Sequence, residues 1–183
     1  MDTSKASELF NIWFVKPLEI LKAEIGPDAG WVALMVTLPL YERWIRAKLK
    51  TEAATTHKGN GDKARDELIW KDLGLDNIEQ AQTFWSVMRD GISHSAMPRI
   101  GDSRKQKKAD NPRYVLHTKC SAFPVFGEYD GKPIIYINPW KFADHVIQLL
   151  KDQPNLIFVD SKEFPLASVE ALDEDQLRKY CPD

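Results

Sequence analysis

Cysteine is scarce in this chain of 183 residues: Cys120 and Cys181 are its two cysteines, and their spacing is not that of metal ligands. We therefore expect two free thiols in a reducing compartment, which indicates the cytoplasm. Long apolar runs are equally scarce, because the longest, residues 30–41, is too short to cross a bilayer. The N-terminal residues lack the basic and apolar segments of a signal peptide, so we expect neither secretion nor a membrane partner.

An excess of either charge is also missing. The chain has 25 lysine and arginine residues against 27 acidic residues, a net charge of −2, so no overall positive field directs it to nucleic acid. A local basic patch stays compatible with that balance. His57, His117 and His145 have no cysteine or acidic partners at ligand spacing, so we expect no metal site. The stretch GNGDK at 59–63 lacks the length and ending of a phosphate-binding loop, and we expect no cofactor.

Apolar residues recur at helical spacing through the first half of the chain. Four helices are predicted there, over residues 7–26, 29–50, 62–74 and 77–97. Pro17 is expected to kink the first helix, and Asp76 or Asn77 to cap the last one. The tryptophans at helical positions are predicted to be core residues: Trp13, Trp31, Trp44, Trp70 and Trp85. Residues 1–97 are therefore predicted to form an all-helical bundle.

The composition changes after residue 97. Residues 98–112 are rich in lysine and arginine and carry few apolar side chains, which predicts a basic loop. Strands are predicted beyond it, because apolar and β-branched residues form short runs between turn residues. Asp130 and Gly131 are the two-residue turn of a predicted hairpin, and residues 155–160 are predicted to be a further strand.

The end of the predicted hairpin leads into a helix, with Asn138 as its cap and Pro139 at its first position. We therefore predict a mainly α fold with a smaller β part, an α+β protein. Its organisation is a helical bundle at 1–97, the basic loop at 98–112, and a hairpin and helix appendage at 113–183. The appendage is expected to pack on the bundle as one unit.

One stretch, FWSVMRDGISHSAMPR at 84–99, places an arginine and a histidine five positions apart in an otherwise apolar segment. On a straight α-helix, side chains five positions apart point about 140° away from each other. A break near Gly91 would re-aim His94 toward Arg89. Arg89, Asp90 and His94 then form a pattern of an arginine, a polar residue directly after it and, after three further residues, a histidine.

This pattern, late in an all-helical bundle, resembles the HEPN superfamily. The family motif is an arginine followed after four to six residues by a histidine, often with a polar residue directly after the arginine. The resemblance covers roughly residues 5–97 and leaves 113–183 unexplained. Ala96 departs from one toxin subgroup, which carries tyrosine two positions after the motif histidine. The resemblance implies a helical bundle with metal-independent endoribonuclease activity, in a toxin–antitoxin or phage-defence setting.

RNA cleavage without a metal requires a base, an acid and a cation at the phosphate. The resemblance implies that His94 transfers protons near neutral pH, that Arg89 stabilises the transition-state charge, and that Asp90 orients one of them. A homodimer would supply a second His94 to one composite cleft, and the products would carry 2′,3′-cyclic phosphate and 5′-hydroxyl ends. RNA is then the substrate, and an antitoxin or defence protein is an expected partner.

Five basic side chains follow the motif and are candidates for contacts with RNA phosphates: Arg99, Arg104, Lys105, Lys107 and Lys108. The alternative is a solvated loop without a ligand, which its composition also predicts. A second candidate stretch is 38–50, where Glu42 and Arg46 stand at i,i+4 spacing. That helix either faces the motif helix and contributes to the cleft, or it carries an ordinary surface ion pair.

A structural interpretation competes with the catalytic one. Arg89 can pair with Asp90 or another acid near the helix end, and His94 can cap that end, where positive charge suits the helix dipole. The protein is then a non-catalytic helical module that binds protein or RNA. Catalysis requires Arg89 and His94 to converge in an open cleft, whereas a binding module leaves them apart, buried, or satisfied by local carbonyls and acids.

Overall fold

A computed structural model describes residues 3–53, 61–92, 113–116 and 123–157 of the chain. Its helices are α1 (Thr3–Phe10), α2 (Lys16–Glu24), α3 (Gly30–Ala53), α4 (Gly61–Leu73), α5 (Ile78–Phe84), α6 (Pro139–Asp152) and α7 (Pro154–Ile157). Its strands are β1 (Arg113–Leu116), β2 (Val125–Tyr129) and β3 (Lys132–Ile137). The predicted class, mainly α with a smaller β part, is confirmed. None of the helices described is long and apolar enough to cross a bilayer.

The first predicted helix is interrupted by a wide turn just before its proline. α1 and α2 are joined by a π-helical turn, Asn11–Val15, and the Lys16 amide donates to the Asn11 carbonyl. Pro17 has no amide proton and its ring would clash with the carbonyl four residues earlier in a regular helix. The extra residue in the turn relieves that clash, so Pro17 widens the helix. The chain then leaves α2 through Gly26, which has a positive φ of 69°.

Helix α3 is the central element and packs against α4 and α6. Its buried face meets apolar side chains of α6 and of the segment around α5 in one core, which includes Leu34, Leu38, Tyr41, Ile45, Phe84, Met88, Phe142 and Val146. The start of α3 lies so close to the start of α6 that only a glycine fits at this position of α3. A Cβ added at Gly30 would lie 2.5 Å from Cγ of Pro139, so the two helices touch there without side-chain space between them.

A three-stranded sheet lies beside the helices in the order β1-β3-β2. β1 runs parallel to β3, and β2 runs antiparallel to it. The predicted hairpin is confirmed, because Asp130 and Gly131 join β2 to β3 with φ values of 52° and 67°. Two successive left-handed residues match the twist of the flanking strands. Ile135 and Ile137 of β3 are buried in the same core as the α3 side chains, which attaches the sheet to the helices.

Caps set the start of two helices as the sequence predicts. Asn77 Oδ1 accepts a hydrogen bond from the Gln80 amide at 2.9 Å at the start of α5. Asn138 Oδ1 accepts from the amides of Trp140 and Lys141, each at 3.1 Å, at the start of α6. Each side chain satisfies amide protons that have no carbonyl partner within the first turn of its helix. Asn138 is buried, so these hydrogen bonds also satisfy a polar side chain that would be costly to bury without partners.

The strand predicted at 155–160 is wrong for its described part. Residues Pro154–Ile157 form the short helix α7, and 158–160 lie outside the described residues. Pro154 favours a helical first position because its φ is already fixed near the helical value. The Leu156 amide donates to the Gln153 carbonyl at 2.9 Å, which closes the turn. Apolar content alone could not separate a short strand from a short buried helix.

The helix that carries the predicted motif widens before Gly91. α5 continues into a π-helical turn, Trp85–Asp90, and Gly91 and Ile92 stay helical. Gly91 has φ −60° and ψ −54°, so the helix does not break at Gly91 itself, and residues 93–97 lie outside the described residues. Ile92 is buried, and the burial of this side chain favours continued helix over the conformational freedom of glycine. The irregularity instead surrounds Arg89, and π-helical turns are frequent at functional sites.

Candidate functional site

Arg89 projects from the wide turn Trp85–Asp90 toward α3. Its Nε donates to Oε2 of Glu42 at 2.8 Å, and its Nη2 donates to Oε1 at 2.6 Å. Two parallel bonds of this kind form the strong fork geometry of a guanidinium with a carboxylate. The two side chains are 20% and 15% exposed, so the pair lies at the edge of the core and solvent still reaches it. This ion pair fixes the direction of the Arg89 guanidinium.

Glu42 also forms an ion pair with a second arginine, which belongs to the same helix as Glu42. Arg46 Nη2 donates to Oε1 of Glu42 at 2.6 Å, the same oxygen that Arg89 Nη2 contacts. The Arg46 side chain is 68% exposed, so it forms this ion pair while most of it is in contact with solvent. The i,i+4 pair predicted for Glu42 and Arg46 is confirmed, and so is the alternative in which their helix faces the motif helix. One carboxylate therefore lies between two guanidiniums, and the group of three carries a net positive charge.

Trp85 lies beneath two guanidiniums. The guanidinium carbons of Arg89 and Arg65 lie 5.6 Å and 5.3 Å from the Trp85 ring centroid, within the range of cation–π attraction. Trp85 is 6% exposed, which confirms its prediction as a core residue. A ring covered in this way supports the arginines and offers little face for stacking a base.

Arg65 of α4 is held by two acids of its own helix. Its Nη1 donates to Asp62 at 2.9 Å, and its Nε and Nη2 donate to Oδ1 of Asp66 at 2.9 and 2.7 Å. Asp66 is buried, whereas the Asp62 side chain is 83% exposed. Burial of a carboxylate requires such a partner, because an unpaired charge in the interior is costly. Arg65 therefore stabilises the buried Asp66 carboxylate within α4.

These side chains line a cleft of about 330 Å³ between α3, α4 and the wide turn. We name it the arginine cleft, and it is lined by Glu42, Ile45, Arg46, Leu49, Gly61, Asp62, Arg65, Trp85 and Arg89. Its volume is at the lower end of ligand pockets. The wall from α3 and the wide turn has two arginines and one acid, whereas the lining residues from α4 include one acid, Asp62, and one base, Arg65. The cleft thus has a polarity that can orient a charged ligand.

Comparisons with protein-family models, with curated proteins and with solved structures each give no match. The functional interpretation therefore rests on the residues of the arginine cleft and on the motif in the sequence.

The predicted catalytic residues are only partly described. Arg89 is described in full, and Asp90 is described as part of the helical backbone. His94 and the five predicted substrate-binding residues, Arg99, Arg104, Lys105, Lys107 and Lys108, lie outside the described residues. The structure brings Arg89 together with Glu42 and Arg46. Sequence reasoning missed Arg65 as a neighbour, since no local spacing connects α4 with the wide turn.

A second polar cluster joins three helices on another side of α3. The Tyr41 hydroxyl donates to Oδ2 of Asp72 at 2.7 Å, and Nε2 of His145 lies 2.9 Å from the same oxygen. Phe123 packs edge-on against the His145 ring with centroids 4.8 Å apart. Burial raises the pKa of Tyr41 well above its usual value, and the neighbouring Asp72 carboxylate raises it further. Sequence reasoning missed this cluster, because its members come from α3, α4 and α6.

Neither cluster has the composition of a metal site. Among the residues that the structure describes, no group of three or more His, Cys, Asp or Glu side chains is arranged to hold a metal ion. The Tyr41, Asp72 and His145 cluster has one carboxylate and one imidazole, and its tyrosine hydroxyl is fully buried. Its geometry ties helices together, while the arginine cleft is open and suited to an anion.

A second groove lies between α2 and α6. Its volume is about 310 Å³, and its floor is apolar, with Leu18, Trp140 and Ile147 among the lining residues. Lys22 and Asp144 form a salt bridge at 2.9 Å across its rim, with side chains 46% and 64% exposed. This exposed pair lies on a different part of the molecule from the arginine cleft, which makes it a useful control site.

Proposed function

We propose that this protein is a metal-independent endoribonuclease of the HEPN type, with Arg89 as the cation of its active site. The observation that carries the proposal is the position of Arg89. Its guanidinium lies in an open cleft, beside a second exposed guanidinium, on a π-helical turn. A single ribose phosphate group can enter such a cleft, and guanidiniums match phosphate oxygens in charge and geometry.

In the proposed reaction, one His94 imidazole removes the proton of the ribose 2′-hydroxyl, and the 2′-oxygen attacks phosphorus. The bond from phosphorus to the 5′-oxygen breaks, and the leaving oxygen takes a proton from a second imidazole. Arg89 stabilises the negative charge that grows on the phosphate oxygens. The products are a 2′,3′-cyclic phosphate and a 5′-hydroxyl, so the atoms balance without water or a metal ion.

A second His94 requires a second copy of the chain, so the proposal includes a homodimer with a composite cleft. Asp90 is proposed to orient Arg89 or His94. The basic side chains of 98–112 are proposed to hold RNA phosphates on either side of the cleaved bond. A cytoplasmic location and a role in a toxin–antitoxin or phage-defence system, with a partner protein, belong to the same proposal.

A non-catalytic module that binds protein or RNA is the second candidate function. The observation that favours it is the two-bond pairing of Arg89 with Glu42. An arginine satisfied by an acid of a neighbouring helix is what a purely structural role predicts. The same cleavage experiment separates the two candidates, because the module binds a ligand without cutting it.

The test is cleavage of a mixed-sequence, end-labelled RNA in the presence of EDTA. The proteins compared are wild type, His94→Ala, Arg89→Gln and, as a control for charge, Lys22→Gln. Wild type and the Lys22 variant are expected to cleave and to leave cyclic phosphate ends. The His94 variant is expected to be about 100-fold slower or worse, which is the contribution of a general acid or base. The Arg89 variant is expected to lose activity by a similar factor.

Equal cleavage by wild type and His94→Ala would assign the activity to a contaminant or to another site. Absence of cleavage by every protein, with all of them folded, would support the binding module. Cleavage that requires a divalent ion would overturn the metal-independent mechanism.

A further inference from the structure

We infer that Arg46 and Arg89 form a phosphate subsite for single-stranded RNA, in which the Glu42 carboxylate holds both arginines until a phosphate takes Arg46 from it. The inference rests on the proposed function for its class of ligand. Its second arginine lies outside the catalytic motif, because Arg46 belongs to α3 and precedes Arg89 by 43 positions. Both guanidiniums contact the same carboxylate oxygen at 2.6 Å, so one anionic oxygen already sits where a phosphate oxygen would sit.

Charge places the ligand on the α3 side of the arginine cleft. Glu42 with two arginines carries one net positive charge, whereas Arg65 with Asp62 and Asp66 carries one net negative charge. A phosphodiester has one negative charge and is attracted to the first group and repelled by the second. Arg65 also gives three of its nitrogens to its two acids, so it is a poor candidate for phosphate binding.

The solvent exposure of the two arginines determines which ion pair of Glu42 breaks when a phosphate binds. Arg46 is 68% exposed, and exposed i,i+4 ion pairs contribute little to stability. The pair of Glu42 with Arg89 has two bonds and is better protected from solvent. A phosphate is therefore expected to take Arg46 from Glu42 first, while the carboxylate keeps hold of Arg89. Glu42 acts in this scheme as a positioning residue for Arg89 and as a competitor of the phosphate for Arg46.

The shape of the cleft limits the kind of nucleic acid. A cleft of about 330 Å³ can admit one nucleotide-sized group of a single strand. A double helix is recognised from outside, across its shallow groove and its phosphates, and cannot enter such a space. Trp85 is covered by two guanidiniums, so base stacking on it is not available. Contacts to the backbone without contacts to bases predict little sequence preference at this subsite.

The test measures equilibrium binding of a fluorescent single-stranded RNA by anisotropy at several salt concentrations. All variants carry His94→Ala, so that the RNA stays intact. Arg46→Gln is expected to weaken binding about threefold to tenfold and to reduce the slope of log affinity against log salt by about 0.7, the loss of one phosphate contact. Glu42→Gln is expected to strengthen binding severalfold, because the competing anion is gone. Lys22→Gln removes one positive charge away from the cleft, as Arg46→Gln does within it, and is expected to leave affinity and slope unchanged.

The same substitutions with His94 retained give a second readout. Glu42→Gln is expected to lower KM and also to lower kcat, because RNA binds better while Arg89 is held less firmly. Arg46→Gln is expected to raise KM and to change kcat little. A merely structural role of these residues would change the amount of folded protein and leave both constants of the folded fraction as they are. Thermal unfolding by circular dichroism checks each variant, and the exposed Arg46 keeps the test valid if Glu42→Gln fails to fold.

Opposite outcomes overturn the subsite. The first two are an Arg46 variant that binds like the Lys22 control and a Glu42 variant that binds more weakly while folded. The other two are equal affinity for a duplex of the same sequence and a His94→Ala parent protein that binds no RNA. These results differ from a failure of the proposed nuclease. Absence of cleavage with binding that depends on Arg46 would remove the nuclease and keep the subsite. Cleavage that neither substitution alters would do the reverse.

Discussion

Asp72→Ala is expected to destabilise the fold far more than its position near the surface indicates. The Asp72 side chain is 11% exposed, and its Oδ2 accepts from the Tyr41 hydroxyl at 2.7 Å and contacts His145 Nε2 at 2.9 Å. Tyr41 is fully buried, and its hydroxyl depends on this carboxylate as its acceptor. The substitution therefore leaves a buried donor without an acceptor and also detaches His145 of α6 from α4.

The magnitude follows from these two losses. A buried donor left without its acceptor costs about 1–3 kcal/mol, and the loss of a hydrogen bond to a partly exposed side chain costs about 0.5–1.5 kcal/mol more. We expect Asp72→Ala to lower the free energy of unfolding by about 2–4 kcal/mol. Tyr41→Phe removes the donor itself and leaves Asp72 with His145 and some solvent. It is expected to cost about 1 kcal/mol.

The assay is urea unfolding followed by tryptophan fluorescence, with the two single variants and the double variant. Because Tyr41→Phe removes the stranded hydroxyl, it is expected to be neutral or stabilising in the Asp72→Ala background, with a coupling of about 1–2 kcal/mol. Asp144→Ala, which breaks an exposed salt bridge on α6, is the control and is expected to cost less than about 1 kcal/mol. Additive effects of the two substitutions, or equal costs for Asp72→Ala and Asp144→Ala, would refute the reasoning.

Three further predictions concern alkaline pH, the glycine at the start of α3 with Gly61 as its control, and the glycine of the hairpin turn. Because the pKa of Tyr41 is higher in the folded state than in the unfolded state, its stabilising contribution is complete below about pH 10 and is lost as pH rises toward the folded value. Wild type should therefore lose up to about 1.4 kcal/mol per pH unit more than Tyr41→Phe above pH 10 in urea unfolding, and parallel profiles would contradict this. Gly30→Ala should lower Tm by several degrees, because its Cβ would meet Pro139 Cγ at 2.5 Å, whereas Gly61→Ala, with nothing within 4 Å, should leave Tm unchanged or raise it. Gly131→Ala should cost about 1 kcal/mol in urea unfolding, because its φ is 67°, and an unchanged midpoint would speak against strain in that turn.

The parts of the fold that the sequence predicts are those with local causes. The helices follow from apolar spacing, their starts from Asn77 and Asn138, and the hairpin from Asp130-Gly131, each decided within a few residues. The π-helical turns escape prediction because they depend on how a proline or a buried face fits its neighbours. The helix at Pro154–Ile157 escapes it because short apolar runs suit both kinds of structure.

In the candidate site, too, the features with local causes can be predicted and the long-range contacts cannot. Arg89 stands out by its spacing to His94, and Glu42 stands out by its spacing to Arg46, since both signals are local. The contact of Arg89 with Glu42 joins residues 47 positions apart and depends on how two helices pack. Tyr41 and His145 meet Asp72 over 31 and 73 positions, and no sequence pattern connects them. Long-range contacts of this kind are a product of the core, which the apolar pattern specifies only as a whole.

Tyr41 and Glu42 are consecutive residues, yet each belongs to a different polar cluster. Consecutive side chains on a helix point about 100° apart, so α3 is fastened on two sides at one level. A single-residue insertion or deletion in α3 before Tyr41 would turn both side chains away from their partners at once. The rotation of α3 about its own axis therefore determines both the stability of the fold and the shape of the arginine cleft. In related sequences, length changes are expected outside α3, and substitutions at one of the two positions are expected to limit those tolerated at the other.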